Sequence, residues 1–328
     1  MAQAMRELSV RVEPRGDGLV DTAGTGGGRP TYNVSTTAAF VAAGAGCRVA
    51  KHGNRSATGR SGSADVLEAL GARIDLGPEA VAECIDDVGF GFMFAPAHHP
   101  AMKHVVGVRK ELAVRTIFNF LGPLTNPAGA RRQLIGVSEP RFLDIVAGAL
   151  RELGCDHALV VSSDDGLDEL SVSGVTRMVE LRDGAIEAHE LTPEAVGLQR
   201  TPADAQAAGT PERNAGIARQ VLAGDPGPER DLCVLNAAAA IYVGGGAESI
   251  EQGARRAEVD RHPVAGVRRA VRGPPIARVP SERDAHVVHL LDAVIARGER
   301  CRGVAGEGVV RAWRIRFGEG HRCTHPGA

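Results

Sequence analysis

The feature that most constrains the fold is an alternation between Val20 and about Leu181, where short apolar, β-branched runs alternate with alanine-rich helical patterns. This alternation predicts an α/β domain with a largely parallel sheet. The predicted strands are Cys47 to Ala50, Gly91 to Phe94, Gln133 to Val137, Ala158 to Ser162 and Arg177 to Leu181. Loops that bind ligands in open α/β sheets gather at the carboxyl ends of the strands, so the loops after these runs are candidate sites.

Helices are predicted around these strands from the signals at their ends. The predicted helices are Ser63 to Gly71, Pro140 to Leu153, Glu212 to Leu222 and Arg230 to Tyr242. Pro140 is a favourable first-turn residue, and Gly71 and Gly154 are typical stops.

Composition excludes several classes of protein. The chain has 328 residues, 43% of them hydrophobic, a net charge of -2 and a pI of about 6.6. This balance favours a globular protein with no nucleic acid as partner. The first residues lack the apolar core of a signal peptide and no later stretch is apolar for the length of a bilayer, so we expect a cytoplasmic protein with no membrane partner. Cysteines occur at six scattered positions without a C-x-x-C pair, so we expect reduced, structural thiols. They are Cys47, Cys84, Cys155, Cys233, Cys301 and Cys323.

A glycine-rich segment from Asp21 to Thr36 follows a predicted strand and runs into an alanine-rich helix. Glycines let main-chain N–H groups approach an anion, and the helix N-terminus adds donors and a favourable dipole. Gly24 and Gly27 are therefore candidates for a phosphate-binding loop. The alternative for Asn33, Ser35 and Thr36 is simple helix capping.

A second polar loop runs from Lys51 to Ser63, between a predicted strand and a predicted helix. It contains several cationic side chains, hydroxyls and glycines without acidic residues of its own. This composition predicts a site for a polyanion, and a solvated surface loop is the alternative.

An acidic turn, Asp164 to Leu170, follows the apolar strand Ala158 to Ser162. The adjacent carboxyl groups of Asp168 and Glu169 are costly to hold together without a counter-charge. A Mg²⁺ ion between these carboxylates and diphosphate oxygens supplies that charge. The alternative is an acidic surface turn.

A fourth segment, Phe94 to Arg109, combines histidines with cationic residues. A helix from Pro100 places Lys103 and His104 near its start, and Arg109 can bind a carboxylate with two parallel hydrogen bonds. No matching Cys or carboxylate spacing supports a metal site at His98 and His99, so both are interpreted as structural.

Seven strings occur in the order found in one enzyme family. They are G-T-G-G, N-V-S-T, K-H-G-N-R-S, S-G-S-A-D-V-L-E-A-L-G, F-A-P-A-H-H-P-A-M-K, R-T-I-F-N-F-L-G-P-L-T-N-P and D-G-L-D-E-L. Through them the chain resembles anthranilate phosphoribosyltransferases from about Ala4 to Arg256. The resemblance implies a nucleoside-phosphorylase-like architecture, with a large α/β domain and a small helical domain, in a homodimer. It also implies reaction of anthranilate with phosphoribosyl pyrophosphate (PRPP) in tryptophan biosynthesis, with Mg²⁺.

The resemblance also implies roles for individual residues, carried over by matching position. Those implied to bind PRPP are Gly24, Gly27, Gly28, Thr31, Asn33, Val34, Ser35, Thr36, Lys51, His52, Gly53, Asn54, Arg55, Ser56, Ala57, Thr58, Gly59 and Ser63. Those implied to contact anthranilate are Gly24, Asn54 and Arg109. Mg²⁺ would be held by Ser35, Asp168 and Glu169.

Three departures from the family qualify this transfer. Gly28 stands where the family usually has Asp, in a loop one residue shorter, so metal affinity or activity is expected to be lowered; Arg29 is a candidate to compensate. Family members carry further helices before the region matching Ala4 to Val10, so we expect a truncated small domain and a weakened dimer. The chain after about Glu258 is Arg-rich and contains no Lys, which is typical of a shifted reading frame of a GC-rich gene.

These departures give the expected organisation. Residues 1–14 and 98–130 form the remnant of the small helical domain, 15–97 and 131–258 form the PRPP-binding α/β domain, and 259–328 form a divergent terminal segment with a short helix around Val287 to Ala296. Two alternative functions remain: a pyrimidine nucleoside phosphorylase-type enzyme, and a catalytically impaired homologue that acts as a binding protein.

Overall fold

The computed structural model describes residues 1–56, 59–112, 116–206 and 208–259. Within them lies a seven-stranded sheet of order β3-β2-β1-β4-β5-β6-β7. Its strands are β1 (Leu19–Gly24), β2 (Arg48–Gly53), β3 (Phe90–Phe94), β4 (Arg132–Gly136), β5 (His157–Ser163), β6 (Thr176–Arg182) and β7 (Ala185–Leu191). Strands β1 to β5 pair in parallel, whereas β6 and β7 are antiparallel. The predicted α/β fold with a largely parallel sheet is confirmed.

Strand β7 is not predicted from the sequence. It is an edge strand whose residues are exposed or half-buried, so it lacks the apolar run that marks the buried strands. Its only β-sheet neighbour in the described ranges is β6, to which it is joined by the tight turn at Asp183 and Gly184.

Helices flank the sheet on both faces. The α-helices are α1 (Ala2–Glu7), α2 (Val34–Gly44), α3 (Ser63–Leu70), α4 (Pro78–Val88), α5 (Ala95–His98), α6 (Lys103–Leu112), α7 (Phe118–Leu121), α8 (Leu143–Glu152), α9 (Pro211–Leu222), α10 (Pro228–Val243) and α11 (Ile250–Val259). Short 3₁₀ helices cover Pro100–Met102, Pro140–Phe142, Pro193–Val196 and Ala203–Gln206. The predicted helix start at Pro140 is therefore a 3₁₀ turn that leads into α8.

The largest core lies where α2 and α10 pack on one face of the sheet. Both helices are buried through alanines, among them Ala38, Ala39, Ala238 and Ala239. Small side chains let the two backbones approach closely, so these helices hold the loop before α2 in a defined position. A second core, around α8, fills the opposite face.

Residues 1–14 pack against the segment 98–130. The N–H groups of Val10 and Val12 donate to the carbonyls of His98 and Pro127 at 2.8 and 3.2 Å. The guanidinium of Arg6 donates to the Leu124 carbonyl at 2.7 Å. The division into two domains stays a prediction, and the expected terminal segment, apart from Val259, lies outside the described residues together with its short helix.

No helix in the described ranges is long and apolar enough to cross a membrane.

Candidate active site

Two of the predicted loops meet at the carboxyl ends of β1, β4 and β5. The glycine-rich loop (Thr25–Asn33) leaves β1, and the acidic loop (Asp164–Leu170) leaves β5. The N–H of Thr25 donates to the Gly136 carbonyl at 2.9 Å, and the N–H of Arg29 donates to the Gly166 carbonyl at 2.6 Å. The expectation that ligand loops gather at one edge of the sheet is met by these contacts.

Asp168 lies at the centre of this junction. Its carboxylate accepts a hydrogen bond from the N–H of Gly26 at 2.9 Å. Gly26 and Gly27 have φ values of +66° and +86°, which favour glycine and let the loop turn its N–H groups inward. The N–H of Gly26 therefore binds an anionic group, but this group is a carboxylate of the protein. Phosphate binding by the loop stays a prediction.

Glycines surround Asp168 because there is no room for side chains. A Cβ at Gly28 would lie 2.6 Å from Asp168 Oδ1 and 2.9 Å from the Gly166 carbonyl oxygen, and one at Gly24 would lie 2.9 Å from Asp168 Oδ2. A Cβ at Gly136 would overlap the Asp168 carbonyl oxygen. Glycine at position 28 thus fits a loop that lies directly against Asp168.

Glu169 faces the start of α2 on the other side of the junction. The N–H of Ser35 donates to its carboxylate, and its own carbonyl accepts from the Ser163 hydroxyl at 2.6 Å. Burial raises the pKa of Glu169 to about 8, and the neighbouring Asp168 adds to this effect, while Lys51 and the Ser35 N–H oppose it. Two carboxyl groups held this close call for a cation.

These oxygens form the donor set predicted for Mg²⁺. In the described part of the chain, no group of three or more His, Cys, Asp or Glu side chains is arranged to hold a metal. Mg²⁺ commonly uses one or two carboxylates and completes its shell with water and substrate phosphates. The hydroxyl of Ser35 and the carboxylates of Asp168 and Glu169 are oxygen ligands of the kind that such a shared site uses. Burial and the neighbouring Asp168 raise the pKa of Glu169, so a cation would stabilise its ionised form.

Asn33 precedes α2, but its side chain does not cap that helix. Its Oδ1 accepts from the Ser61 hydroxyl and from Asn214 Nδ2, both at 2.9 Å, and its Nδ2 donates to the Ser61 carbonyl at 3.1 Å. The capping alternative is therefore wrong for this side chain. Asn33 joins the glycine-rich loop to the second polar loop and to α9.

Val34, Ser35 and Thr36 form the first turn of α2. The hydroxyls of Thr36, Thr31 and Thr25 are buried and have no hydrogen-bond partner among the described residues. Buried polar groups are normally satisfied, so these three hydroxyls lack the hydrogen bond that such groups usually make.

Lys51 points from β2 into the protein beneath the site. Its ammonium group donates to the carbonyl and, at 3.1 Å, to the hydroxyl of Thr22, and it lies 3.4 Å from the Ser35 hydroxyl. Burial lowers the pKa of Lys51, while the nearby carboxylates of Asp21 and Glu169 raise it. Lys51 thus supplies positive charge behind the acidic pair.

Asp21 is a buried partner that the sequence interpretation does not single out. Its carboxylate accepts from the N–H of His52 at 3.1 Å and from Asn126 Nδ2 at 2.7 Å. Burial raises the pKa of Asp21, and the Lys51 charge opposes this. The signal available in the sequence is an acidic residue within an otherwise apolar strand.

His52 lies on the opposite face of β2 from Lys51. Its Nδ1 lies 3.1 Å from the Gly122 carbonyl, and its ring lies 5.0 Å from that of His99. Burial lowers the pKa of His52 to about 3. His98 is also buried, with Nδ1 2.9 Å from the Val10 carbonyl, in keeping with the structural interpretation of these histidines.

The loop after β2 folds tightly against the start of α3. A Cβ at Gly53 would overlap the Ser63 hydroxyl, which itself lies 3.2 Å from the Asn54 carbonyl. Asn54 is exposed at the mouth of the loop, and its Oδ1 accepts from the N–H of Arg55 at 2.7 Å. The N–H of Gly59 donates to the Ser56 hydroxyl at 2.7 Å.

Arg55 has two acidic partners in α3. Its guanidinium pairs with Asp65 at 2.8 Å and with Glu68 at 2.5 Å. The expectation that this loop lacks acidic balance is therefore wrong for Arg55, because the carboxylates come from the following helix. Ala57 and Thr58 lie outside the described residues, and the side chain of Arg109, which is part of α6, does as well.

The comparisons with known proteins place the chain in a class. Residues 16–260 match the model of a family described as "Glycosyl transferase family, a/b domain", and the chain belongs to this family. Among its relatives are the anthranilate phosphoribosyltransferases of Rubrobacter xylanophilus and Symbiobacterium thermophilum. The first is 56% identical over 78% of this chain and 75% of the relative, and the second is 53% identical over 77% and 74%. Within the class, the chain is a member of the anthranilate phosphoribosyltransferase family.

Solved structures agree with this assignment. The chain is similar to the crystal structure of anthranilate phosphoribosyltransferase from Thermus thermophilus, with a TM-score of 0.79 and 43% identity over 91% of this chain and 83% of that one. It is also similar to the Saccharomyces cerevisiae enzyme in complex with PRPP and Mg, with a TM-score of 0.77 and 28% identity over 91% and 78%. The predicted family and its fold are confirmed; the small helical domain stays a prediction.

Proposed function

We propose that this chain transfers the phosphoribosyl group of PRPP to anthranilate, giving N-(5-phosphoribosyl)anthranilate and diphosphate in tryptophan biosynthesis. The observation that carries the proposal is the junction of the glycine-rich loop and the acidic loop, where the Gly26 N–H meets Asp168 and Ser35 meets Glu169. A sugar diphosphate needs both N–H donors and a divalent cation, and this junction offers the groups for both.

The Mg²⁺ ion would be held by the Ser35 hydroxyl and the carboxylates of Asp168 and Glu169. When bound, it neutralises the negative charge that develops on the departing diphosphate. The glycine-rich loop and the first turn of α2 would bind the phosphates through N–H groups and through the buried hydroxyls of Thr31 and Thr36. Lys51 adds positive charge behind them.

The remaining PRPP contacts come from the second polar loop, Lys51 to Gly59 and Ser63. His52 and Arg55 are already engaged with Gly122 and with α3, so we propose that they shape this loop while its N–H groups and hydroxyls meet the substrate. His52 and Arg55 thus stay part of the proposed site, with a structural role in place of direct contact with PRPP.

Anthranilate would be met by Gly24, Asn54 and Arg109, with the Arg109 guanidinium facing the carboxylate. In the reaction, the bond from the ribose anomeric carbon to the diphosphate oxygen breaks and a bond to the amine nitrogen forms, after which the nitrogen loses one proton. An aromatic amine is neutral at pH 7, so its lone pair is available without a strong base. Catalysis would then rest on positioning and electrostatics.

Two further proposals concern the domains and the oligomeric state. Residues 1–14 and 98–130, which hydrogen-bond to one another, would form the small helical part beside the α/β domain. A homodimer is the assembly that the resemblance implies, and light scattering on the purified chain would measure it.

The test follows the loss of anthranilate fluorescence in the presence of PRPP and Mg²⁺. We expect consumption by the wild type, loss of most activity in Asp168→Asn, and little change in Asp164→Asn, since Asp164 is an exposed residue of the same loop that pairs with Arg177. No consumption by folded wild type contradicts the proposal, and equal rates for both variants contradict the role of Asp168. Cleavage of a pyrimidine nucleoside by phosphate would favour the nucleoside phosphorylase alternative.

A further inference from the structure

Arg29 connects three segments around the candidate site. Its guanidinium pairs with the Asp165 carboxylate at 2.9 Å and also donates to the carbonyl of Ala203. A longer contact, 3.4 Å, joins it to Oε1 of Gln206, a fully buried side chain. The glycine-rich loop is thereby joined to the acidic loop and to the 3₁₀ helix Ala203–Gln206.

The ion pair is held on both sides. The side chains of Arg29 and Asp165 are only 23% and 12% exposed, so solvent screens them less than a surface pair. The Asp165 carboxylate is itself oriented by the Ser171 hydroxyl at 2.7 Å and by the N–H of Leu167 at 3.3 Å. Arginine suits this position because its planar fork donates in several directions at once.

The backbone of the same residues positions Asp168. The N–H of Arg29 donates to the Gly166 carbonyl at 2.6 Å, two residues before Asp168. Three residues before Arg29, the N–H of Gly26 donates to the Asp168 carboxylate. Gly28 lies between them, against Asp168 Oδ1. Movement of Arg29 would therefore loosen the contacts that hold this carboxylate.

We infer that Arg29 is a positioning residue that clamps the glycine-rich loop onto the acidic loop, and so holds the Asp168 carboxylate ready for Mg²⁺ and PRPP. This inference rests on the proposed function for its effect on Mg²⁺, but not for its effect on the loops. Arg29 itself contacts only protein groups in this role.

The first measurement is hydrogen exchange at the Gly26 amide, in the absence of substrate. In Arg29→Ala we expect exchange to be faster by roughly 10-fold, because local opening frees this N–H from Asp168. The matched control is Arg177→Ala, which removes an exposed arginine paired at 3.1 Å with Asp164 of the same acidic loop. It should leave the Gly26 amide unchanged.

The second measurement is calorimetric titration of PRPP at a series of Mg²⁺ concentrations. For Arg29→Ala we expect the apparent Mg²⁺ affinity to fall by roughly 10-fold, the size typical of removing a group that orients a metal ligand. Binding of PRPP at saturating Mg²⁺ should recover towards the wild-type value. Arg29→Lys keeps the ion pair with Asp165 but loses the other guanidinium contacts, to Ala203 and Gln206. Its apparent Mg²⁺ affinity should therefore lie between those of the wild type and Arg29→Ala.

Unchanged Gly26 exchange in Arg29→Ala, or the same change in Arg177→Ala, overturns the inference. If Arg29→Ala does not fold, Asp165→Asn tests the pair from its other side, with the same expected increase in exchange and the same contradicting result. A wild type that binds no PRPP at any Mg²⁺ concentration overturns the proposed function instead, while the exchange experiment still decides whether the clamp exists.

Discussion

The N–H of Gly26 donates to the Asp168 carboxylate at 2.9 Å, although 142 residues separate them in the chain. This contact brings the glycine-rich loop and the acidic loop together in one site. It also means that the glycine-rich loop is preorganised by the protein's own acidic loop. The packing and the buried charges around this junction should therefore govern the stability of the protein and its response to pH.

Gly28→Ala is expected to lower the free energy of unfolding by about 1–3 kcal/mol, because the added methyl group has no room beside Asp168. Denaturant unfolding measures this change. The control is Gly148→Ala in α8, where a Cβ meets nothing within 4 Å and alanine should stabilise the helix by about 0.5–1 kcal/mol. Equal stability of wild type and Gly28→Ala would show that the loop accommodates the added methyl group, which would contradict the prediction.

Without metal, the contribution of Glu169 to the stability of the protein should decrease as pH rises from about 4.5 to about 8. In this window an unfolded chain has lost the Glu169 proton while the folded protein keeps it, because burial and Asp168 raise the pKa to about 8. The unfolded state then binds fewer protons, so the free energy of unfolding falls with pH.

Unfolding in EDTA at several pH values, compared with Glu169→Gln, isolates this contribution of Glu169. In Glu169→Gln the free energy of unfolding should decrease less as pH rises than in the wild type. In Glu248→Gln, at an exposed position, it should decrease as much as in the wild type. A variant with the same pH profile as the wild type would contradict the prediction.

The contribution of His52 to stability should have the opposite pH dependence and should decrease as pH falls. Its folded pKa of about 3 lies below the ordinary value of 6.5, so the unfolded chain takes up a proton first as pH falls between these values. Stability present above pH 6.5 is then lost toward pH 3.

In His52→Asn the amide can still donate to the Gly122 carbonyl, but the pH-dependent loss should be smaller than in the wild type. Thermal unfolding across this range measures the difference. His104→Asn, at an exposed position, serves as the control; an identical acid profile for His52→Asn and the wild type would count against burial of a neutral ring.

Lys51→Met should reduce the free energy of unfolding by about 3 kcal/mol, since it leaves the buried carboxylate of Asp21 without its nearby positive charge. Chemical denaturation would detect this. Lys103→Met, at an exposed position, should change stability by less than about 0.5 kcal/mol. Similar values for both variants would mean that Lys51 does not compensate Asp21.

The class of fold, most of its strands, the helices α2, α3, α8, α9 and α10, and the family were predictable from the sequence. Each depends on neighbours in the chain: apolar runs mark β2 to β6, Gly71 ends α3, and the motif strings are continuous. The adjacent carboxylates Asp168 and Glu169 could be chosen for the same reason. Strand β7 escaped prediction because its exposed edge position leaves no apolar pattern.

Only the tertiary structure decided what the side chains of these loops contact. Asn33 could cap α2 or join other segments, and Arg55 could face a phosphate or α3; distant residues, Asn214 and Glu68 among them, settle each choice. The Arg29–Asp165 pair and the close fit of Gly28 against Asp168 arise in the same way. Local sequence carries periodicity and turn preferences, whereas burial and pairing across more than a hundred residues exist only once the sheet brings the loops together.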